Sequence, residues 1–426
     1  MTFPAETPTM NTLVSRKPDF LKIDFDRSPF IVIWEVTQAC SLACLHCRAE
    51  ACPGRNIGEL TTEEAFALLD ETRRFGPVLF VITGGDPLER PDIFEIIRHG
   101  AEIGLRMTMT PAGTEKMTRA IIKRMKDSGL VRLAVSLDGH DKESHDKFRG
   151  VEGSFEWTMN SIRFAHEIGL EVQVNTTVTH FNKDRVRDIA AILAEESITL
   201  WSVFFLVPVG RGGRHLMISP KGHEEVFHEL YDLSREMPFD IKTTAAQHYR
   251  RVMMQRTAMD RIEGVHQNGS APLASAPGFN ATGGQGGSAH TTAGRASKGV
   301  NDGRGFVFVS HLGEVMPSGF LPVSAGNVKN ASLVDIYRNH EMFRALRRPE
   351  GYENKCGYCD YNDVCGGSRS RAWAITGNFL ASESYCTYRP QRPGSDKTAS
   401  NTYRSDHATA SSLSRAEVNA ALMKPE

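Results

Sequence analysis

From Phe30 to Gly210 the chain alternates between short β-branched or aromatic runs and amphipathic stretches of helical period, and this regularity constrains the fold more than any other feature. FIVIWEV, PVLFVIT, LRMTMT, LVRLAVSLDG, LEVQVNTTVT and LWSVFFLVPVG read as strands. TTEEAFALLDETRRF, PDIFEIIRHGAEIG, EKMTRAIIKRMKDSG, SFEWTMNSIRFAHEIG and KDRVRDIAAILAEES read as the helices between them. The first helix has Thr61 or Thr62 as N-cap and acids in its first turn, and the third ends at a glycine C-cap. Strands and helices in strict alternation build parallel sheets with right-handed crossovers. Six rounds fall short of eightfold closure, so the expected class is α/β, a partial (β/α)6 barrel. In such folds ligands sit at the C-terminal ends of the strands.

The flanks divide by composition. Residues 1–29 read as a flexible lead-in, 30–215 as the barrel core and 216–262 as a helical connection. Residues 263–304, rich in Gly, Ala and Ser, have little to bury and read as a flexible insertion. Residues 305–390 open with a hairpin turning at His311-Leu312-Gly313 and carry four cysteines. Residues 391–426 read as a loose polar tail.

Charge excludes some function classes. The 426 residues hold 50 Lys+Arg against 51 Asp+Glu, for a net charge of -1, so there is no electrostatic footprint for nucleic acid or an anionic membrane. No apolar run spans a bilayer, and the N-terminus lacks the basic and apolar regions of a signal peptide. The expected location is the cytoplasm, where clustered cysteines serve as ligands or redox groups rather than disulfides.

Four of the 8 cysteines lie in one short stretch, TQACSLACLHCRAEAC. Cys40, Cys44 and Cys47 follow the first strand directly, on a loop where a barrel builds its active site. Three thiolates can hold three irons of a cubane cluster and leave the fourth iron open to a ligand. Cys52 falls outside this compact spacing and reads as a bystander thiol. A zinc site completed by His46 is the rival reading.

Cys-x-x-x-Cys-x-x-Cys after a first barrel strand resembles the radical S-adenosylmethionine (radical SAM) superfamily, although His46 stands where an aromatic residue usually precedes the third cysteine. Further motifs follow in order. Gly84-Gly85-Asp86, after the second strand, resembles the family's Gly-Gly-Glu motif, which holds the SAM amino group. Ser136 and Asp138, after the fourth strand, match positions that contact the SAM ribose or carboxylate. Arg149 resembles the arginine that pairs with the SAM carboxylate, and a guanidinium fork suits that anion. Asn175 and the stretch from Leu206 to Pro208 match ribose- and adenine-facing positions. The resemblance implies a 4Fe–4S cluster that binds SAM and, on reduction, releases a 5'-deoxyadenosyl radical. It also implies an electron donor of flavodoxin or ferredoxin type. No catalytic acid or base can be named.

Cys356, Cys359, Cys365 and Cys386 supply a full ligand set for a closed cluster, and their spacing resembles the C-terminal SPASM/twitch extension of many radical SAM enzymes. A full SPASM domain holds two auxiliary clusters. Here Ser318 and Arg369 stand at two ligand positions of the second, so the resemblance implies one auxiliary 4Fe–4S cluster. Zinc is the rival for four such cysteines. SPASM/twitch relatives either mature ribosomal peptides or remodel tetrapyrrole side chains in haem pathways. The short lead-in leaves no room for a peptide-recognition domain, so the expected substrate is a tetrapyrrole, with a precursor peptide as the alternative. A non-catalytic iron–sulfur or zinc protein is the reading from another class. Arg211 and Arg214 read as either a steering patch for a carboxylate-rich substrate or a solvated loop.

Overall fold

The computed structural model describes residues 23–264, 299–391 and 413–422. Its core is one nine-stranded sheet. The six expected strands are β1 (Ile31–Glu35), β2 (Leu79–Thr83), β3 (Arg106–Met109), β4 (Arg132–Ser136), β5 (Glu171–Val178) and β6 (Leu200–Phe205). They pair in sequence order and all in parallel. Helices α1 (Thr62–Arg73), α2 (Ile93–Glu102), α3 (Arg119–Asp127), α4 (Lys142–Arg149), α5 (Ser154–Glu167) and α6 (Val186–Glu195) occupy the crossovers. α1 starts in a capping box: the Thr61 hydroxyl accepts from the Glu64 N–H, and the Glu64 carboxylate accepts from the Thr61 N–H.

The sheet extends beyond the six strands at both ends. Segment 216–262 holds two helices, α7 (Pro220–Glu236) and α8 (Tyr249–Ile262), but between them lies a further parallel strand, β7 (Asp240–Thr244), on β6. At the other edge β8 (Phe306–Val309) pairs in parallel with β1, and β9 (Val315–Met316) folds back on it as the expected hairpin. The order is β7-β6-β5-β4-β3-β2-β1-β8-β9, so the barrel stays open between β7 and the hairpin. One face of each strand packs on the helices through Trp34, Phe80, Met107, Val135, Val174, Trp201 and Ile241, which share one apolar core. The other face lines the open interior.

The C-terminal region adds α9 (Leu333–Asn339), α10 (Glu341–Leu346), α11 (Asn354–Tyr358), α12 (Arg369–Thr376) and α13 (Arg415–Leu422). Three segments expected to be loose are anchored in part. Tyr337 donates to the Phe25 carbonyl at 2.8 Å and Arg347 pairs with Asp26 at 2.8 Å, which docks the end of the lead-in. The insertion lies outside the described residues over 265–298, but its last residues are packed: Asn301 donates to the Gly367 carbonyl at 2.8 Å. The tail includes α13, which buries Val418 and Ala421 against Ala258 of α8 and its neighbours. Among the described residues, no helix is long and apolar enough to cross a membrane.

Candidate active site

Cys40, Cys44 and Cys47 lie on the loop leaving β1, at the C-terminal end of the sheet. Cys40 and Cys44 are buried in a small apolar nest with Leu42, Ala51 and Ala112, and Cys47 packs against it. Backbone contacts fix this loop. The Gly85 N–H donates to the Thr37 carbonyl at 2.7 Å and the Asp86 N–H to the Ala39 carbonyl at 2.6 Å, so the turn after β2 is fastened to the segment entering Cys40. Glycine is required there: a Cβ on Gly85 would lie 2.4 Å from the Ala39 oxygen and 2.5 Å from that of Gln38. Cys52 contributes backbone, not sulfur. Its carbonyl accepts from the Cys40 N–H at 2.9 Å, while its exposed thiol donates to the Gly54 carbonyl at 3.2 Å.

Arg211 closes the loop from the far side. Its Nε donates to the Cys44 carbonyl and its Nη1 to the Ala51 carbonyl, both at 3.1 Å. Its backbone N–H donates to the Cys47 carbonyl. It therefore clamps the cysteine loop, and neither a steering patch nor a solvated loop describes it. Arg214 reaches α12 instead, donating to the Ile375 carbonyl at 3.0 Å. His46 stacks on Phe148 of α4 at 4.6 Å between ring centroids, so the imidazole takes the place of the usual aromatic ring. Burial lowers its pKa to about 4, which keeps it neutral.

Asp138 and Arg149 lie beside this loop. Asp138 is buried beyond β4; its carboxylate accepts from the Thr177 N–H at 2.7 Å and meets the Arg149 Nη1 at 3.3 Å. Arg149 is buried and donates through Nη2 to the Ala112 carbonyl, and its Nε has no partner. Burial opposes its charge, but the Cys44, Asp138 and Cys40 groups outweigh that and hold it protonated. Ser136 and Asn175 are register neighbours on β4 and β5. Asp86 ends the glycine turn. Its carboxylate is fully buried and accepts from the Leu88 and Ala112 N–H groups and the Thr114 hydroxyl, so it braces the turn. Burial raises its pKa despite these donors.

The sequence did not point to Glu35. This buried carboxylate ends β1 and binds Arg48 at 2.6 Å and His311 at 2.8 Å, which ties the cysteine loop to the turn of the C-terminal hairpin.

Cys356, Cys359, Cys365 and Cys386 line one hollow, partly open to solvent, with Lys355, Glu383 and Tyr388. Several donors face the sulfurs. Cys356 Sγ accepts from the Glu383 N–H at 3.3 Å and from Arg369 Nη2 at 3.6 Å, and Cys365 Sγ accepts from the Gly367 N–H at 3.4 Å. Arg369, at a position where a full SPASM domain carries a ligand, thus donates to a neighbouring sulfur. Burial pushes the Cys359 thiol up to about 12 and raises those of Cys365 and Cys386, as it raises Cys40 to about 12. Metal loading at either site must therefore displace protons. Among the described residues, no three His, Cys, Asp or Glu side chains converge as the ligands of a single ion. Arg371, fully buried, pairs with Glu383 at 3.1 Å and donates to the Ala245 carbonyl at 2.8 Å and to the Phe205 carbonyl at 3.2 Å. It braces the second cysteine region on the ends of β6 and β7.

An open parallel sheet with a three-cysteine loop at the end of β1 defines a class of SAM-dependent radical enzymes. The chain belongs to the radical SAM superfamily: residues 34–193 match that family's description, and relatives align over most of its length. It is 38% identical to the AdoMet-dependent heme synthase of Methanosarcina barkeri (strain Fusaro / DSM 804), over 86% of this chain and 99% of that one. It is 40% identical to the AdoMet-dependent heme synthase of Nitratidesulfovibrio vulgaris, over 85% and 93% of the two chains. Its fold is similar to that of Streptococcus suis SuiB bound to S-adenosylmethionine, with a TM-score of 0.62 at 15% identity, covering 85% of this chain and 78% of SuiB. The chain is thus an enzyme of radical SAM type, and membership implies a 4Fe–4S cluster and SAM.

Proposed function

We propose that the enzyme oxidatively decarboxylates propionate side chains of an iron-coproporphyrin-type tetrapyrrole to give haem. The observation that carries this reading is the nearly end-to-end similarity to AdoMet-dependent heme synthases. The two thiol sites suit the reaction. Each propionate loses one hydrogen atom, one carbon dioxide and one electron to become a vinyl group. SAM cleavage takes up one electron and removes the hydrogen atom, so the electron released by the substrate balances it. The acceptor is of iron–sulfur type.

Cys40, Cys44 and Cys47 would hold the cluster that binds SAM. Arg149, next to two of those thiols and carrying an unpartnered Nε, would take the SAM carboxylate. Gly84 and Gly85 would allow the close backbone approach around the amino group, Ser136 and Asp138 would contact the ribose or carboxylate, and Asn175 would face the ribose. Cys356, Cys359, Cys365 and Cys386 would hold one auxiliary 4Fe–4S cluster. When bound, these groups supply a hydrogen-abstracting radical at one site and an electron acceptor at the other. The chain's own residues hold the loops rigid: Arg211 and the Gly84-Gly85-Asp86 turn at the first site, Arg369 and Arg371 at the second. An external donor of flavodoxin or ferredoxin type would supply the first electron, after which the electron released by the substrate replaces it.

The test is to incubate anaerobically reconstituted enzyme with SAM, dithionite and iron-coproporphyrin. Mass loss of one carbon dioxide and two hydrogens per converted side chain is the expected result. Deoxyadenosine without any change in the tetrapyrrole would remove the reading.

A further inference from the structure

β7 brings a lysine into the barrel interior. Backbone register aligns Ser136 with Asn175, Asn175 with Ser202 and Ser202 with Lys242, one row across β4, β5, β6 and β7. The residues that precede them, Val135, Val174, Trp201 and Ile241, lie in the core under the helices. Side chains alternate along a strand, so the four polar residues share the interior face. Ser202 confirms the side, because its hydroxyl meets that of Thr244 at 3.2 Å, the next interior position on β7.

Lys242 is half-buried, and its ammonium has no hydrogen-bond or ion-pair partner among the described residues. The charged group that acts on it is Arg132, which has the same sign and whose guanidinium is held by Glu171 at 2.7 Å. Asp240, the interior acid earlier on β7, makes contacts of its own. Desolvation pushes the lysine down to about 8, so it remains largely charged at neutral pH. An interior ammonium without a counter-ion offers a charge-assisted hydrogen bond to an anion that enters the barrel.

We propose that Lys242 binds a carboxylate of the substrate, a propionate of the tetrapyrrole. This inference rests on the function proposed above. The SAM carboxylate would be a second ligand anion in the barrel, and Arg149, which would take it, lies among Cys40, Cys44 and Asp138. Lys242 stands in the middle of β7, whereas Arg149 ends α4, beyond β4, so the two carboxylates have separate cations.

The test is a Soret titration of reconstituted full-length enzyme with iron-coproporphyrin and with its tetramethyl ester, for wild type, Lys242→Gln and Lys242→Arg. SAM affinity is measured alongside. Wild type is expected to favour the acid over the ester. Lys242→Gln is expected to lose about tenfold in affinity for the acid, an ordinary loss for a charge-assisted hydrogen bond, and to bind the ester and SAM as wild type does. Lys242→Arg is expected to recover most of the loss. Undiminished binding of the acid by Lys242→Gln overturns this inference alone. An equal fall in SAM affinity overturns it too, by assigning Lys242 to the SAM carboxylate. Failure of wild type to bind the tetracarboxylate overturns the functional reading and this inference with it.

Discussion

The two cysteine regions differ in the number of thiols they gather and in whether a side chain reaches a sulfur. The first places three thiols on a loop held almost wholly by backbone: carbonyls of Thr37, Ala39, Cys44, Cys47 and Ala51 receive the Gly85, Asp86 and Arg211 donors. The second places four thiols around a hollow; both regions direct backbone N–H groups at two of their sulfurs, but only the second adds a side-chain donor, Arg369 on Cys356 Sγ. Three ligands leave a metal position for a substrate to occupy, whereas four close it and leave hydrogen bonds to the sulfurs as the means of tuning potential. Under the function proposed above, the first region would bind and cleave SAM and the second would move an electron.

This contrast predicts separable failures. Changing Cys40, Cys44 and Cys47 together to Ala should abolish SAM cleavage, read as deoxyadenosine, along with product. Cys359→Ala should retain SAM cleavage and lose haem formation; product at the wild-type rate would remove the division of labour. Gly85→Ala should act on the first region alone. Its Cβ meets backbone oxygens that cannot move aside, so a destabilisation of about 2–4 kcal/mol and a loss of SAM binding are expected, with the auxiliary signal intact by electron paramagnetic resonance. The smallest effect should come from Arg369→Lys. It weakens one donor to Cys356 Sγ and should shift the auxiliary cluster to a more negative potential in a redox titration, without changing SAM cleavage.

The regions also differ in how far the sequence reveals them. The six-strand run and the loop after β1 are local patterns: strand period, helix period and close cysteine spacing. Contacts between distant segments are not. β8 pairs with β1 across the whole barrel, and nothing in FVFV selects that edge. β7, DIKTT, carries one apolar residue because its other face looks into the polar interior, so it reads as a turn between two helices. The same property hid Lys242. Glu35 and His311 meet from opposite ends of the chain, and Arg211, Arg369 and Arg371 have charges that gave no hint of their carbonyl and sulfur partners. Asp86 was found by its motif, but its role as a brace depends on Thr114 and Ala112 of a different loop. α13 escaped notice because two buried apolar residues in a polar tail form too short a pattern.

The most direct measurement is an iron and sulfide count on anaerobically reconstituted wild type, the Cys40/Cys44/Cys47 triple variant and Cys359→Ala, with spectra of each. The account predicts about eight irons in wild type and about four in the triple variant, which keeps a cluster unresponsive to SAM; Cys359→Ala should lose its auxiliary cluster and keep the cluster whose spectrum changes when SAM is added. Zinc in place of iron at the second site, or an unchanged count in the triple variant, would contradict the assignment of one open and one closed cluster.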